Sequence, residues 1–261
     1  MRIVLIGAGN LATNLGKALS RNGHEIVQVF STSKTAKQLT KQIGGKPIRN
    51  LKLLCDDADI YIVALKDSVV EGLLPQICHG RESRLFVHTS GSLPMSIFRG
   101  HAKNYGVFYP LQTFSKSQEV DFQQIPCLIE GANAQVVTVL KDLALSISNR
   151  VKKVSTEKRK QIHLAAVFAC NFTNYCYTVA GNILKQQKLP FDLLLPLIDE
   201  TARKVHNMSP RKAQTGPAVR NDENIMEQHM EMLYGNNRDL YERMSQSILD
   251  EFFYEDNELP F

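Results

Sequence analysis

An apolar run that passes without a break into Gly7-Ala-Gly-Asn-Leu-Ala12, and from there into helical spacing, leaves few folds open to this chain. Arg2–Ile6 read as a strand. Leu11, Leu15, Ala18 and Leu19 recur at the spacing of one helix face. Between them, Gly7 permits a tight turn, Gly9 lets backbone approach a pyrophosphate, and Ala12 lets the helix pack closely on the strand. The helix N-terminus, with its free amide donors at Asn10 and Leu11, then faces the phosphates. This is the strand-turn-helix of a dinucleotide site, in the context that site requires.

The rest of the first half repeats that rhythm. Glu25–Phe30, Ala58–Ala64, Arg84–His88, Tyr105–Tyr109 and Cys127–Glu130 read as strands, and Arg150–Val154 as a last one. Helices are expected over 34–43, 67–77 and 134–147. Near-continuous apolar runs such as Ala58-Asp-Ile-Tyr-Ile-Val-Ala64 suit parallel strands covered on both faces. The expected class is α/β: a doubly wound Rossmann sheet with right-handed crossovers, followed by an all-helical second domain. From Thr156 the pattern is helical, with one long helix to about Lys188 and others over 191–206, 221–234 and 237–253. Ser209–Pro217 is a turn-rich connector. The boundary is expected near residue 153, giving a dinucleotide-binding domain over 1–153 and a substrate and dimerisation domain over 154–261.

With 261 residues, two moderate domains can each build a core. The five cysteines form no CxxC pair and sit mostly among apolar residues, so they read as buried thiols of a reducing compartment. No leader pattern and no membrane-length apolar run is present, and a cytoplasmic protein is expected. The net charge of +5 is uneven: residues 221–261 carry eleven acidic and two basic side chains. Without a compact basic run interleaved with aromatics, the sequence speaks against a nucleic-acid partner, and the basic body reads as a solvated surface partly matched by the acidic tail.

About twenty residues beyond the glycine turn, NAD-specific folds carry an acid for the ribose 2′-hydroxyl. Here the stretch is Phe30-Ser-Thr-Ser-Lys34. The hydroxyls of Ser31, Thr32 and Ser33 with the Lys34 ammonium accept a 2′-phosphate that an aspartate would repel, so the expected cofactor is NADP. The competing reading is that the hydroxyls cap the next helix. Ligands bind outside the carboxyl ends of such strands, which places Leu65 and Lys66 beside the cofactor, Asp67 as a helix cap, and Thr89 and Ser90 near the nicotinamide.

Taken together, Gly7–Ala12, Asp57-Ala-Asp-Ile60, His88-Thr-Ser-Gly-Ser92, Tyr109-Pro-Leu-Gln-Thr-Phe114, His163-Leu-Ala-Ala-Val-Phe-Ala-Cys-Asn171 and Thr215-Gly-Pro217 resemble a bacterial NADP oxidoreductase family. That family joins a Rossmann domain to a helical domain like that of 6-phosphogluconate dehydrogenase. Its wider relatives include the β-hydroxyacid dehydrogenases, pyrroline-5-carboxylate reductase and the deazaflavin-dependent NADP reductases. The resemblance spans nearly the whole chain and implies fold and cofactor rather than substrate. The β-hydroxyacid dehydrogenases carry a lysine four residues before an asparagine on the first long helix of the second domain. Asn171 matches that asparagine, but Val167 stands at the lysine position. The resemblance therefore counts against alcohol oxidation by the relatives' lysine chemistry.

At 100° per residue, His163, Asn174, Thr178, Asn171 and Asn182 fall within about 100° of one another, while Ala165, Phe168, Ala169, Phe172, Cys176 and Val179 cover the far side. Such a helix is expected to be buried in its domain or in a dimer, with its polar stripe facing a cleft. His163 is the candidate general acid, because imidazole exchanges protons near neutrality. Asn171 is the candidate polariser. Tyr109, Gln112, Thr113 and Asn174 are candidate substrate contacts, with Arg220 as a possible bidentate partner for a carboxylate. No metal site is expected. The leading expectation is a homodimeric NADP-dependent oxidoreductase moving hydride between nicotinamide and a small carbonyl, imine or alcohol. The alternatives are an NADP(H)-binding sensor without turnover and a deazaflavin-dependent NADP reductase.

Overall fold

In the computed structural model, which describes residues 1–253, eight strands form one sheet. They are β1 (Arg2–Ile6), β2 (Glu25–Phe30), β3 (Lys46–Ile48), β4 (Ile60–Val63), β5 (Leu85–His88), β6 (Asn104–Pro110), β7 (Cys127–Gly131) and β8 (Val151–Lys153). Their spatial order is β3-β2-β1-β4-β5-β6-β7-β8, so the order reverses between β1 and β4. The helices of this region are α1 (Asn10–Arg21), α2 (Thr35–Ile43), α3 (Asp67–Cys78) and α4 (Ala134–Leu145). A strand side chain alternates between faces. Ile3, Leu5, Ile60 and Ile62 accordingly meet α1, α2 and α4 through Leu15, Leu19, Leu39, Ile43, Leu140 and Leu143. Val4, Ile6, Tyr61 and Val63 meet α3 through Val70, Leu74 and Ile77. Both faces are buried, which is why the sequence shows unbroken apolar runs.

Close packing of α1 on β1 is achieved one turn later than the sequence pattern suggests. Ala12 is buried, but a Cβ at Gly16 would come within 2.8 Å of Leu5 Cδ1 and Ile43 Cδ1.

The expected uniform βαβ winding holds through β6 and then stops. β7 runs antiparallel to β6, with Tyr109 opposite Leu128, and β8 runs parallel to β7. The connection between β6 and β7 contains only the 3₁₀ turn Phe122–Gln124; β5 and β6, joined through the 3₁₀ helix Met95–Phe98, nevertheless pair in parallel. The edge strand β3 escaped the sequence reading because three residues containing Pro47 carry no alternation to detect, and proline in a sheet is confined to edges.

By contacts the chain divides into two compact units, the second beginning at Phe172 rather than near residue 153. The reason is α5 (Thr156–Ala166), which is fastened to the sheet of the first unit. Arg159 is fully buried and donates to the Glu130 carboxylate of β7 and to the Leu93 carbonyl. Glu130 also accepts from the Thr156 amide at 2.9 Å and from its hydroxyl. After α5 the expected single helix is interrupted by a π-helical segment, Val167–Phe172, before α6 (Thr173–Gln186). A π turn shifts later residues round the axis by roughly one position, about 100°. The polar stripe drawn through His163, Asn171, Asn174 and Asn182 is therefore not continuous.

In the second unit, α6 is followed by α7 (Leu195–Asn207), a short α8 (Pro210–Ala213) in the expected connector, α9 (Glu223–Glu231) and α10 (Asn236–Phe253). Only Ala218 and Met226 are buried there among the described residues, and α6, expected to be buried, contributes none. All five cysteines are free; Cys78 and Cys127 are buried and the other three half-buried. No helix is long and apolar enough to cross a membrane among the described residues. Part of the acidic tail, 254–261, lies outside them.

Replacing Glu130 with Ala strands the Arg159 guanidinium in the core. The expected cost is about 3–5 kcal/mol of unfolding free energy, read as a lower urea midpoint.

Candidate functional site

The chain places the carboxyl ends of β1, β2, β4, β5 and β6 along one edge of the sheet. Gly7 N donates to Phe30 O at 2.9 Å, Ala64 N to Ile6 O at 2.8 Å, and Thr89 N to Val63 O at 3.2 Å, so the loops that follow are in register. This edge spans the reversal of strand order, where α/β sheets open a crevice. Two cavities occupy it.

The first, about 680 Å³, is lined by Gly7, Ala8 and Gly9 after β1, Phe30 to Ser33 after β2, and Ala64 to Lys66 after β4. Gly7 has φ +126°, and a Cβ there would stand 2.2 Å from the Ala64 carbonyl oxygen, so the turn closes only with glycine. Gly9 meets nothing within 4 Å on its Cβ side. It is the N-cap of α1, whose first turn carries no acid, which leaves the amide donors and the positive end of the helix dipole open to a pyrophosphate. The cavity's size and this open cradle fit a dinucleotide.

At the β2 end of the same cavity, the hydroxyls of Ser31, Ser33 and Thr35 lie 2.7–3.1 Å from one another. Lys34, the N-cap of α2, makes no side-chain cap bond, and Ser33 Oγ accepts from the Thr35 amide at the start of the helix at 3.3 Å, so the hydroxyls also serve that helix end. Across them lies a residue that the sequence reading missed: Arg49, just past β3, donates from Nε (3.2 Å) and Nη2 (2.6 Å) to the Thr32 carbonyl. Lys116, from the β6–β7 connection, also lines the cavity. That connection is tied to α1 by Asn14, which donates to Ser115 O at 2.9 Å. Arg49 was invisible because it follows an undetected edge strand, and Lys116 because it lies forty residues in sequence from Gln76, the nearest other part of the cavity.

The second cavity, about 460 Å³, is lined by Asp67, Thr89, Ser90, Gly91, Tyr109, Leu111, Gln112, Thr113 and the segment from His163 to Asn171. Tyr109 Oη and His163 Nδ1 are 2.9 Å apart. A Cβ at Gly91 would come 2.5 Å from His163 Cγ, so the imidazole rests directly on that glycine. Burial raises the Tyr109 pKa, with the Arg159 charge opposing and the Asp67 charge adding to the rise, so the phenol stays protonated at neutral pH. Beneath the same turn, His88 is fully buried and accepts from Ser90 N at 3.1 Å. Burial, and then the charge of Arg159, push its pKa down to about 3, which keeps it neutral and structural.

Of the residues expected at the site, Gly7, Gly9, Ser31, Thr32, Ser33, Leu65 and Lys66 come together in the first cavity. His163, Asn171, Tyr109, Gln112 and Thr113 come together in the second, joined by Thr89 and Ser90, which were expected beside the cofactor. Asn10 and Leu11 form the first turn of α1, with the Leu11 side chain packed on the core. Lys34 is exposed and outside the cavity lining. Asp67 does not cap α3; its carboxylate accepts from Ser90 Oγ at 2.6 Å. Asn174 and Arg220 are exposed and belong to the second unit. Val167, at the position of the relatives' lysine, lines the second cavity.

Residues 2–90 match the family described as NADP oxidoreductase, coenzyme F420-dependent, and residues 125–248 match a domain of unknown function, DUF2520. A solved structure from Bacteroides fragilis, described as a "putative NADP oxidoreductase", is 51% identical, with 95% of this chain and 98% of that one covered at a TM-score of 0.92. An imine reductase from Myxococcus stipitatus, solved with NADP+, is 14% identical (96% and 92% covered, TM-score 0.67). A pyrroline-5-carboxylate reductase from Streptococcus pyogenes is also 14% identical (96% and 97% covered, TM-score 0.66). At these identities the last two are similar in fold alone. No curated protein matches the chain.

Arg49→Ala is expected to weaken NADPH binding about tenfold or more and to leave NADH binding unchanged, because the guanidinium has a charged partner only in the 2′-phosphate. Calorimetric titration with both nucleotides reads the difference.

Proposed function

Because the chain belongs to the NADP oxidoreductase family that includes the Bacteroides fragilis protein, we propose that it moves hydride between NADP(H) and a small carbonyl, imine or alcohol. In this reading the cavity along β1, β2 and β4 holds the cofactor. The cavity around Tyr109 and His163 holds the substrate. The cofactor is NADP, which supplies or accepts the hydride when bound. What remains for the chain is to bind, orient and protonate.

The observation that carries the reading is the contact between Tyr109 Oη and His163 Nδ1 in the wall of the second cavity. A carbonyl oxygen or imine nitrogen that gains an electron pair needs a proton. Tyr109 holds one at neutral pH, and His163 is placed to restore it. Val167 leaves no ammonium at the relatives' lysine position, so the Tyr109–His163 pair takes over that role. Asn171, in the same lining, is placed to orient the reacting group.

Tyr109→Phe and His163→Ala are each expected to lower kcat by about 10²–10⁴-fold with NADPH affinity retained. Gly91→Ala should act similarly, by driving the imidazole off Tyr109. Steady-state loss of nicotinamide absorbance over a panel of carbonyls and imines tests all three. Full turnover in both dyad variants overturns the assignment. Tight NADPH binding without turnover on any substrate instead favours the sensor reading.

The homodimer belongs to the same proposal. A helical unit with two buried residues has no core of its own, and it exposes Tyr175, Ile183, Leu193, Leu195, Leu197 and Met232. Apolar side chains on this scale mark an interface, and the occupant proposed is a second copy of the chain. Sedimentation at micromolar concentration should give a dimer. The double variant Leu193→Asp/Leu197→Asp should shift it to monomer, and a wild-type monomer overturns the assignment.

A further inference from the structure

The second cavity has an uneven set of charges. Asp67 places a carboxylate in its wall, held by the 2.6 Å bond from Ser90 Oγ. Among the described residues, no lysine or arginine lines it. The charged groups around it do not change this balance. Arg159 is fully buried and committed to Glu130 and to the Leu93 carbonyl. Lys66, although adjacent to Asp67 in sequence, lines the other cavity, as do Arg49 and Lys116. His88 is buried and neutral. Of the other polar lining groups, Thr89, Tyr109, Gln112, Thr113 and Asn171 are uncharged, and the His163 imidazole is engaged at Nδ1 with Tyr109 Oη.

A carboxylate-bearing substrate needs a guanidinium, an ammonium or a nest of amide donors. In this cavity it would instead approach a carboxylate, exposed but tethered by Ser90, and meet the repulsion of a like charge. A protonated nitrogen meets the opposite situation. Ser90 satisfies one oxygen of Asp67 and tethers the side chain, so the carboxylate offers a cation a counter-charge in the same cavity lining as Tyr109.

We propose that the ligand of this cavity is a small nitrogen compound bound as a cation, an iminium on the substrate side and an ammonium on the product side, without a carboxylate, and that Asp67 is its counter-ion. The proposal rests on the reading of this cavity as the substrate site. In the reduction it implies, the iminium carbon gains a hydride from the reduced nicotinamide, which is left oxidised. The C=N π pair returns to nitrogen and cancels its charge, and the product amine then takes a proton from the Tyr109 hydroxyl, which His163 restores from solvent. Asp67 holds the imine in its protonated, electrophilic form before the transfer.

The test compares cyclopentylamine, a cation at pH 7.5, with cyclopentanecarboxylate, its anionic counterpart of similar shape, each titrated by calorimetry into the NADP⁺-saturated protein. The expected result is at least tenfold tighter binding of the cation. Asp67→Asn should remove that preference while leaving NADP⁺ affinity unchanged, which also reports an intact fold. Equal or tighter binding of the carboxylate, no binding of either probe, or an undiminished preference in Asp67→Asn overturns the proposal, and the wild-type comparison decides it even if the variant is unstable.

A second experiment separates this proposal from the hydride-transfer reading: NADPH oxidation with 1-pyrroline against 1-pyrroline-5-carboxylate. Preferential reduction of the carboxylated imine upholds hydride transfer and overturns the charge assignment. Preferential reduction of 1-pyrroline supports both. Cation preference in the calorimeter without reduction of either imine supports the charge assignment and removes hydride transfer to imines.

Discussion

A single buried guanidinium holds the second cavity together. Arg159 has no exposed surface, yet it reaches two elements besides its own helix: β7 through Glu130, and the turn after β5 through the Leu93 carbonyl. A charge buried this deeply is tolerated only when it is paired and hydrogen-bonded, so the geometry around it is fixed within narrow limits. His163 lies one helical turn beyond Arg159, and Gly91 lies in the turn that Arg159 grips. The contact of the imidazole with Gly91 and with Tyr109 Oη follows from that anchoring. The same anchor explains why α5 belongs to the sheet-bearing unit although it opens the helical half of the sequence.

The sheet edge divides the chemistry between its loops. After β1, β2 and β3 the loops provide backbone amides, hydroxyls and a guanidinium, a setting for phosphates. After β5 and β6 they provide a phenol, amides and hydroxyls around one carboxylate, a setting for a small polar or cationic molecule. The two regions meet at the loop after β4, where Lys66 faces one cavity and Asp67 the other. Consecutive side chains of opposite charge thus line different cavities, a separation that comes from the turn into α3 rather than from distance along the chain.

Local signals were read correctly wherever one element carried the whole message. The glycine turn requires φ +126° at Gly7 and an open face at Gly9, and both demands appear directly as residue types. Unbroken apolar runs identified β1, β4 and β5 because two covered faces leave no polar alternation. The reading failed where several weak signals had to be combined. β3 is three residues long with a proline. The antiparallel direction of β7 leaves no mark in the residues of the strand itself. The π segment leaves no mark in residue type, and it undid a wheel drawn at constant rotation. Asp67 looked like a cap because acids favour first turns, and only its neighbour Ser90, 23 residues away in sequence, shows otherwise.

The sequence alone determined the class of fold and the glycine turn after β1, and it named some of the residues that line the two cavities, because backbone sterics and alternating burial act over a few neighbouring residues and write themselves into residue type. It could not determine which of those residues would meet. The pairing of Tyr109 with His163 across 54 positions, the placement of Arg49 on the Thr32 carbonyl, and the burial of Arg159 between β7 and the Leu93 turn were decided by tertiary structure. Such contacts form between strand-end loops brought together by sheet order, and sheet order is set by the packing of the whole domain rather than by any segment of the chain.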